Sequence, residues 1–164
     1  MTKVFKLGDN VSTDAIIPGR YFYLRSNLNE LAKHLCEDIY QDLYSKIDEG
    51  DVIVAGKNFG LGSSREHAAQ IIKLTGISCI LAKSFSRIFY RNAVNIGLLA
   101  IECDTDNIDD NDDIVINLEQ NTILNITKNT SLKIMPISAV MSKFIKDGGL
   151  INHIKKYGDL IIDE

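Results

Sequence analysis

The sequence predicts an α/β fold built around a parallel β-sheet. Three short apolar segments, at 51–55, 77–82 and 98–103, alternate with segments of helical periodicity. A helix that connects two such strands returns the chain for parallel pairing, with a right-handed crossover. The length of 164 residues favours one domain spanning 1–164, and the 45% hydrophobic content is enough to form a core.

The N-terminal third is predicted to hold one strand and one long helix. The apolar run at 4–8 predicts a short strand, and the polar stretch at 9–19, which ends in Pro-Gly, predicts turns. Between 27 and 47, apolar residues recur every three or four positions, which is typical of an amphipathic helix. The residues that set this period are Leu28, Leu31, Leu35, Ile39 and Leu43.

The same signals predict the remaining elements. Apolar periodicity and glycine stops indicate helices, and short β-branched runs indicate strands. The predicted segments are helices at 64–75 and 84–97, a hairpin of strands at 114–118 and 122–127, a strand at 132–137, and a helical segment at 138–158 interrupted by Gly-Gly. Seven acidic residues between Glu102 and Asp113 are expected to form a solvated loop, and they lack the pattern of a calcium-binding loop.

Composition excludes several classes of protein. A net charge of −4 and a pI near 5.4 argue against general nucleic-acid binding. No apolar run is long enough for a membrane span, and the first ten residues lack the apolar stretch of a signal peptide. We therefore expect no membrane association and a cytoplasmic location.

The three cysteines, Cys36, Cys79 and Cys103, are scattered along the chain. Their number and spacing do not make a disulfide framework. Because the sequence contains no C-x-x-C pair, neither a zinc site nor an iron–sulfur site is expected from this chain alone. Cys79 lies in an apolar run and is predicted to be buried, whereas His34 and His153 are expected at the surface.

The stretch GKNFGLGSSREHAA, residues 56–69, concentrates polar chemistry between a predicted strand and a predicted helix. It is not a P-loop, because Ser63 stands where that motif has lysine. It is not a dinucleotide-binding fingerprint, because Arg65 replaces the third glycine, and it lacks the second glycine of a nucleophile elbow. What remains is a flexible glycine turn that leads into a helix N-terminus.

Two interpretations of this turn follow from the residues alone. A helix N-terminus with an adjacent arginine favours an anion, and Arg65 can hold a carboxylate with two hydrogen bonds. The same positive field would help Ser63 or Ser64 to lose a proton. Alternatively, one of these serines only caps the helix. Taken alone, Ser12, Thr13 and Asp14 in the segment 9–21 have the composition of a turn or cap.

Three stretches together, GDNVSTDAIIPGRY, AGKNFGLGSSREHAA and AKSFSRIFYRNAVNIGL, resemble the small subunits of the isopropylmalate dehydratase and homoaconitase family. These subunits are relatives of the swivelling domain of aconitase. The resemblance implies a swivelling β/β/α domain like the aconitase C-terminal domain. It also implies a large partner subunit that carries a [4Fe–4S] cluster, so that this chain itself binds no cofactor or metal.

The family reaction dehydrates a small hydroxy acid and rehydrates the product at the neighbouring carbon. The resemblance implies that Ser63 is the base that takes the carbon-bound proton. It implies that Ser64 supports the site or hydrogen-bonds the substrate, and that Arg65 holds a substrate carboxylate. Thr13 and Asp14 match the Thr-Asp pair of the family, which lies near the active site. His67 has no expected role.

Two alternatives remain open at this point: an isopropylmalate enzyme, and a homoaconitase or broad-specificity small subunit. Leucine biosynthesis, in which 2-isopropylmalate and 3-isopropylmalate interconvert, is the first expectation. The stretch Tyr23-Leu24-Arg25-Ser26 resembles the substrate-selecting loop of homoaconitases, and Arg25 would suit a carboxylate arm, as in homocitrate or homoaconitate. A module that only covers a partner's site and a stand-alone anion-binding domain are the alternatives from other classes.

Overall fold

The computed structural model describes residues 2–158, and its central element is a four-stranded sheet in which all neighbouring strands run parallel. The sheet order follows the chain order, and the first residues of the four strands lie side by side. The predicted parallel sheet is therefore confirmed. Its strands are β1 (Val4–Lys6), β2 (Val52–Ala55), β3 (Cys79–Ala82) and β4 (Leu99–Glu102).

Helices cover one face of this sheet, because they supply the crossovers between parallel strands. The longest of them in the crossovers are α4, between β2 and β3, and α5, between β3 and β4. The helices are α1 (Thr13–Ile16), α2 (Leu28–Ala32), α3 (Leu43–Lys46), α4 (Glu66–Leu74), α5 (Arg87–Asn95), α6 (Ala139–Lys146) and α7 (Leu150–Tyr157), with a 3-10 helix at Gly19–Ser26.

A three-stranded antiparallel sheet covers the opposite face. Its strands, β5 (Ile114–Asn117), β6 (Thr122–Asn125) and β7 (Thr130–Lys133), form two successive hairpins. The first turn contains Asn121 with a φ of 51°, a left-handed conformation that asparagine tolerates. The hairpin predicted at 114–127 is confirmed, whereas the strand predicted at 132–137 begins and ends earlier, at β7.

Successive side chains along the parallel strands point to opposite faces of the sheet, and this divides the interior into two hydrophobic layers. Phe5, Ile53 and Ile80 point toward the helices, whereas their neighbours Val52 and Leu81 point toward the antiparallel sheet. Both layers are buried, because a parallel sheet has a cover on each face. The result is a three-layer β/β/α arrangement in which the carboxyl ends of β1 to β4 share one edge.

The long helix predicted at 27–47 is wrong beyond its first turns. Only α2 and α3 are helical, and between them Cys36 and Asp42 have positive φ angles of 53° and 57°. The amide of Cys36 donates to the carbonyl of Ile16, so a tertiary hydrogen bond replaces a helical one. The apolar period survives because Leu31, Leu35 and Leu43 still face the core, but the backbone between them turns.

The acidic segment between Glu102 and Asp113 is more ordered than a solvated loop. Asp106 pairs with Lys83 at 2.5 Å, Asp109 pairs with Lys6 and Lys128, and Asp110 accepts a hydrogen bond from Tyr40. Asp112 is 4% exposed and accepts from Asn125 at 2.6 Å. These contacts tie the segment to both sheets, so most of its carboxylates have a structural role.

His153 is buried, contrary to the prediction that it lies at the surface. Its Nδ1 is 2.7 Å from Asp147, and its ring packs between Phe144 and Tyr157. A hydrogen bond from Lys156 and one from His153 lower the pKa of Asp147. This contact fastens α7 to the end of α6. His34 is partly exposed and stacks on Tyr21.

Gly97→Ala is expected to destabilise the protein strongly. Gly97 has a φ of 72°, and a Cβ atom there would lie 2.7 Å from the carbonyl carbon of Gly148 and from the amide nitrogen of Gly149. The variant therefore adds a backbone clash to the cost of a left-handed conformation. We expect a loss of about 3 kcal/mol in the free energy of unfolding, measured by urea denaturation followed by circular dichroism.

Gly50→Ala is the matched control for this prediction. Gly50 also has a positive φ, 97°, but a Cβ atom there would meet nothing within 4 Å. We expect it to cost only the conformational part, about 1–2 kcal/mol. Equal losses of unfolding free energy in the two variants would contradict a destabilising clash between a Cβ atom at position 97 and the backbone at Gly148.

Candidate active site

The candidate site lies at the carboxyl ends of β1 and β2, where the loops that follow these strands run side by side. The amide of Gly60 donates to the carbonyl of Val11 at 2.7 Å, and the amide of Thr13 donates to the carbonyl of Leu61 at 2.9 Å. The carboxyl edge of an open parallel sheet is where ligands of α/β proteins bind. Two distant segments of the sequence are thus joined by backbone hydrogen bonds.

Gly60 is required by the packing of the turn on α5. Gly60 has a φ of 78°, and a Cβ atom at this position would lie 2.2–2.7 Å from the Phe89 side chain. The hydroxyl of Ser86 donates to the Gly60 carbonyl at 2.7 Å. The segment SFSRIFYRN therefore holds the turn in place, which gives it a structural role that its sequence does not reveal.

Ser63 projects from this turn beside Thr13. Its side chain is exposed, and its hydroxyl oxygen is 3.3 Å from Thr13 Oγ1. The Thr13 hydroxyl also donates to the Ser63 carbonyl oxygen at 3.3 Å, and the same carbonyl accepts from the amide of Arg65 at 2.8 Å. The structure therefore brings Thr13 and Ser63 together, with the Thr13 hydroxyl equally close to the carbonyl and hydroxyl oxygens of Ser63.

The interpretation of Ser63 or Ser64 as a simple helix cap is wrong. Arg65 occupies the N-cap position of α4, and among the described residues, 2–158, no side chain forms a capping hydrogen bond with α4. Elsewhere in the protein, serine caps are formed: Ser12 accepts from the Ala15 amide at 3.0 Å in α1. The absence of such a bond in α4 leaves both serine hydroxyls of the turn exposed and outside a capping role.

Arg65 lies next to Asp14, as the sequence prediction of a shared site requires. Arg65 Nη1 is 2.5 Å from Asp14 Oδ1 and 3.4 Å from the carbonyl of Ile17. The guanidinium carbon lies 4.6 Å from the centre of the Phe22 ring. Within residues 2–158, no hydrogen bond engages Nη2 or Nε of this arginine, so one edge of the guanidinium is available to an anion.

Arg25 lies at the outer side of the same group. Its guanidinium carbon is 5.3 Å from the Phe22 ring centre, and its Nη1 donates to the Phe22 carbonyl at 3.4 Å. The structure thus brings Arg25 and Arg65 to one aromatic ring. Phe22 is a residue that sequence reasoning missed, because an aromatic residue in a polar loop carries no motif that assigns it to a site.

The His67 ring contacts the Phe22 ring, with ring centres 5.6 Å apart, so His67 lies nearer the site than its sequence position suggested.

Burial raises the pKa of the Cys36 thiol to about 12 and that of the Cys79 thiol well above its usual value, so both thiols remain protonated. In the part of the chain that the structure describes, no three His, Cys, Asp or Glu residues are placed to hold a metal ion.

The candidate site is an open surface on this chain. Gly62, Ser63 and Ser64 are all exposed, and Asp14 has 68% of its side chain exposed. Proton abstraction from carbon needs a site from which water is largely excluded. A second protein surface would have to close over the turn before such a reaction could occur.

No helix in residues 2–158 has the length and apolar character of a bilayer span.

Comparison with known proteins places the chain in one family. A family model described as the aconitase C-terminal domain matches residues 36–106. The chain is 54% identical over 157 residues to 3-isopropylmalate dehydratase small subunit 1 of Thermotoga maritima, with 95% of each chain covered. It is 51% identical over 160 residues to small subunit 2 of Archaeoglobus fulgidus, which covers 98% of this chain and 97% of that protein.

A solved structure shows the same architecture. The crystal structure of 3-isopropylmalate dehydratase from Methanocaldococcus jannaschii superposes with a TM-score of 0.90 at 46% identity, covering 96% of this chain and 93% of that one. The β/β/α fold predicted from the resemblance to aconitase is thereby confirmed. The chain belongs to the family of 3-isopropylmalate dehydratase small subunits.

Proposed function

We propose that this chain is the small subunit of a heteromeric hydro-lyase that interconverts 2-isopropylmalate and 3-isopropylmalate by dehydration and rehydration. The observation that carries the proposal is the Ser63 hydroxyl, exposed on the glycine turn, with Thr13 at 3.3 Å and Arg65 two residues away. The names of the curated relatives favour this substrate over homoaconitate. A single domain spanning 1–164 and a cytoplasmic location remain part of the proposal.

Ser63 is the proposed general base. As an alkoxide, it takes the proton from the carbon next to a carboxylate while hydroxide leaves the neighbouring carbon, which yields the unsaturated acid and hydroxide and leaves the proton on the Ser63 hydroxyl. Hydroxide then adds to the carbon that lost the proton, and Ser63 returns the proton to the carbon that lost hydroxide, which regenerates the alkoxide. A serine hydroxyl is a weak acid, so the alkoxide needs support from the Thr13 hydroxyl, the N-terminus of α4 and Arg65.

Arg65 is the proposed carboxylate-binding residue. Asp14 and the Ile17 carbonyl hold its Nη1 end, which leaves Nη2 and Nε to bind a substrate carboxylate with two hydrogen bonds. In this assignment Asp14 acts through Arg65, and Thr13 acts through Ser63. Ser64, exposed beside them, is proposed to hydrogen-bond the substrate.

A large partner subunit is the proposed second half of the site. The exposure of the serine turn and the small-subunit names of the relatives support a partner that closes over it. A [4Fe–4S] cluster in that partner would act as a Lewis acid toward the substrate hydroxyl and a carboxylate. This chain supplies the base and the arginine. We propose no binding to nucleic acid or membrane.

Ser63→Ala is expected to slow turnover by orders of magnitude without preventing assembly. Loss of a general base costs about 10²- to 10⁴-fold in rate. We expect kcat to fall in this range when the variant is combined with the cluster-loaded large subunit. The measurement is the ultraviolet absorbance of the unsaturated product, with complex formation followed by size-exclusion chromatography.

Ser131→Ala, an exposed serine on β7, is the control and should leave kcat unchanged. A module that only covers a partner's site predicts the same activity for both variants. Full activity of Ser63→Ala would therefore exclude Ser63 as the base.

A second candidate substrate, homoaconitate, is favoured by one observation, the position of Arg25 on the same aromatic ring as Arg65. If Arg25 contacts the carboxylate arm, Arg25→Ala should reduce kcat/KM for homoaconitate about tenfold or more and spare isopropylmalate. Both substrates are assayed in parallel with wild type and variant. Equal losses on both substrates would contradict an arm contact, and turnover of isopropylmalate alone by the wild type would leave Arg25 without this role.

A further inference from the structure

The Phe22 ring is the one aromatic group in residues 2–158 that both Arg65 and Arg25 contact. Phe22 lies in the 3-10 helix Gly19–Ser26, which follows α1 and returns the chain toward α4. Its ring centre is 4.6 Å from the Arg65 guanidinium carbon and 5.3 Å from that of Arg25, and the His67 ring meets it nearly perpendicularly, at 88°. Three cationic or titratable side chains are thus gathered at one apolar surface.

We infer that Phe22 is a positioning residue that fixes the direction of the Arg65 guanidinium and thereby sets the affinity for a substrate carboxylate. The inference rests on the proposed function. An aromatic face attracts a guanidinium and restricts the rotation of its plane. Asp14 and the Ile17 carbonyl restrain only the Nη1 atom, and a guanidinium held at one atom can still pivot.

The three contacts restrain different motions of Arg65. Asp14 fixes the distance of Nη1, the Ile17 carbonyl accepts from the same atom, and the Phe22 ring restrains the plane. A carboxylate needs two coplanar N–H groups at fixed spacing, so the orientation of the plane decides whether both hydrogen bonds form. Without the ring, the Arg65 guanidinium would point Nη2 and Nε away from the substrate for part of the time. Ordering the guanidinium would then reduce the free energy gained on substrate binding.

This role predicts an effect on binding and not on the chemical step. The charge of Arg65, which supports the Ser63 alkoxide, stays at the site when the ring is lost, because Asp14 and the Ile17 carbonyl still hold Nη1. What changes is the orientation of the edge that binds the carboxylate, so the loss falls on substrate binding. In the reconstituted complex, Phe22→Leu should raise KM about tenfold and change kcat by less than about threefold. Phe22→Tyr keeps the aromatic face and should restore KM to within about twofold of wild type.

A matched control separates loss of an aromatic ring in general from loss of this ring. Tyr44, on α3, is an exposed aromatic residue, and Tyr44→Leu should leave KM and kcat unchanged. A double-mutant cycle tests whether Phe22 acts through Arg65. In the Arg65→Gln background, Phe22→Leu should raise KM by less than about twofold, because the cation is gone. In the Arg25→Ala background, the tenfold effect should persist.

Three outcomes would overturn the inference. One is a Phe22→Leu variant that behaves like Tyr44→Leu. The second is an undiminished effect of Phe22→Leu in the Arg65→Gln background, which would mean that the ring does not act through Arg65. The third concerns assembly: if Phe22→Leu does not bind the large subunit, the cycle is repeated with Phe22→Met, and failure of both variants to assemble would make the role of the ring purely structural.

The inference and the proposed function fail separately. Full activity of Ser63→Ala would remove the proposed function, whatever Phe22 does. Loss of activity in Ser63→Ala together with an unchanged KM in Phe22→Leu would remove only the positioning role.

Discussion

The packing of the Gly60 turn on Phe89 is the constraint on which the candidate site depends. Phe89 is 1% exposed and stands in an aromatic cluster with Phe59 and Phe85, at centroid distances of 5.1 Å and 6.3 Å. Because the turn has no room for a side chain at Gly60, its path is set by the core beneath it. These buried contacts therefore set the position of Ser63, three residues further on.

Much of the fold was predictable, because the apolar runs of β2, β3 and β4 and the helices between them follow simple periodicity. Where the prediction failed, a tertiary contact determined the local structure. The Cys36 amide forms a hydrogen bond with the Ile16 carbonyl and does not continue a helix, and His153 is buried where it pairs with Asp147. No periodicity carries such information. The same holds for the acidic segment, whose carboxylates look solvated in sequence but pair with Lys6 of β1 and with Lys128 of the turn between β6 and β7.

The candidate site, like the fold, could be predicted only in part. The motif resemblance predicts that Thr13 and Asp14 lie near the active site. It does not predict that Thr13 contacts Ser63 and that Asp14 pairs with Arg65, because those contacts follow from the placement of the two loops side by side. Phe22 was not predictable, since its part in the site exists only as a contact to Arg65 and Arg25. Residues that act on another residue leave no chemical signature in the sequence.

Arg20 and Arg65 both lie over an aromatic ring, 4.7 Å from the Tyr21 centre and 4.6 Å from the Phe22 centre, but they differ in how many carboxylate contacts they make. Arg20 is held on both terminal nitrogens, with Asp38 at 2.8 Å from Nη1 and Asp38 and Glu37 at 2.6 Å and 3.1 Å from Nη2. Those carboxylates fix Arg20 but leave it no free edge for a ligand. Arg65 has a single carboxylate on Nη1. Restraint by an uncharged ring keeps the other edge open, so orientation is gained without neutralising the charge that a substrate carboxylate needs.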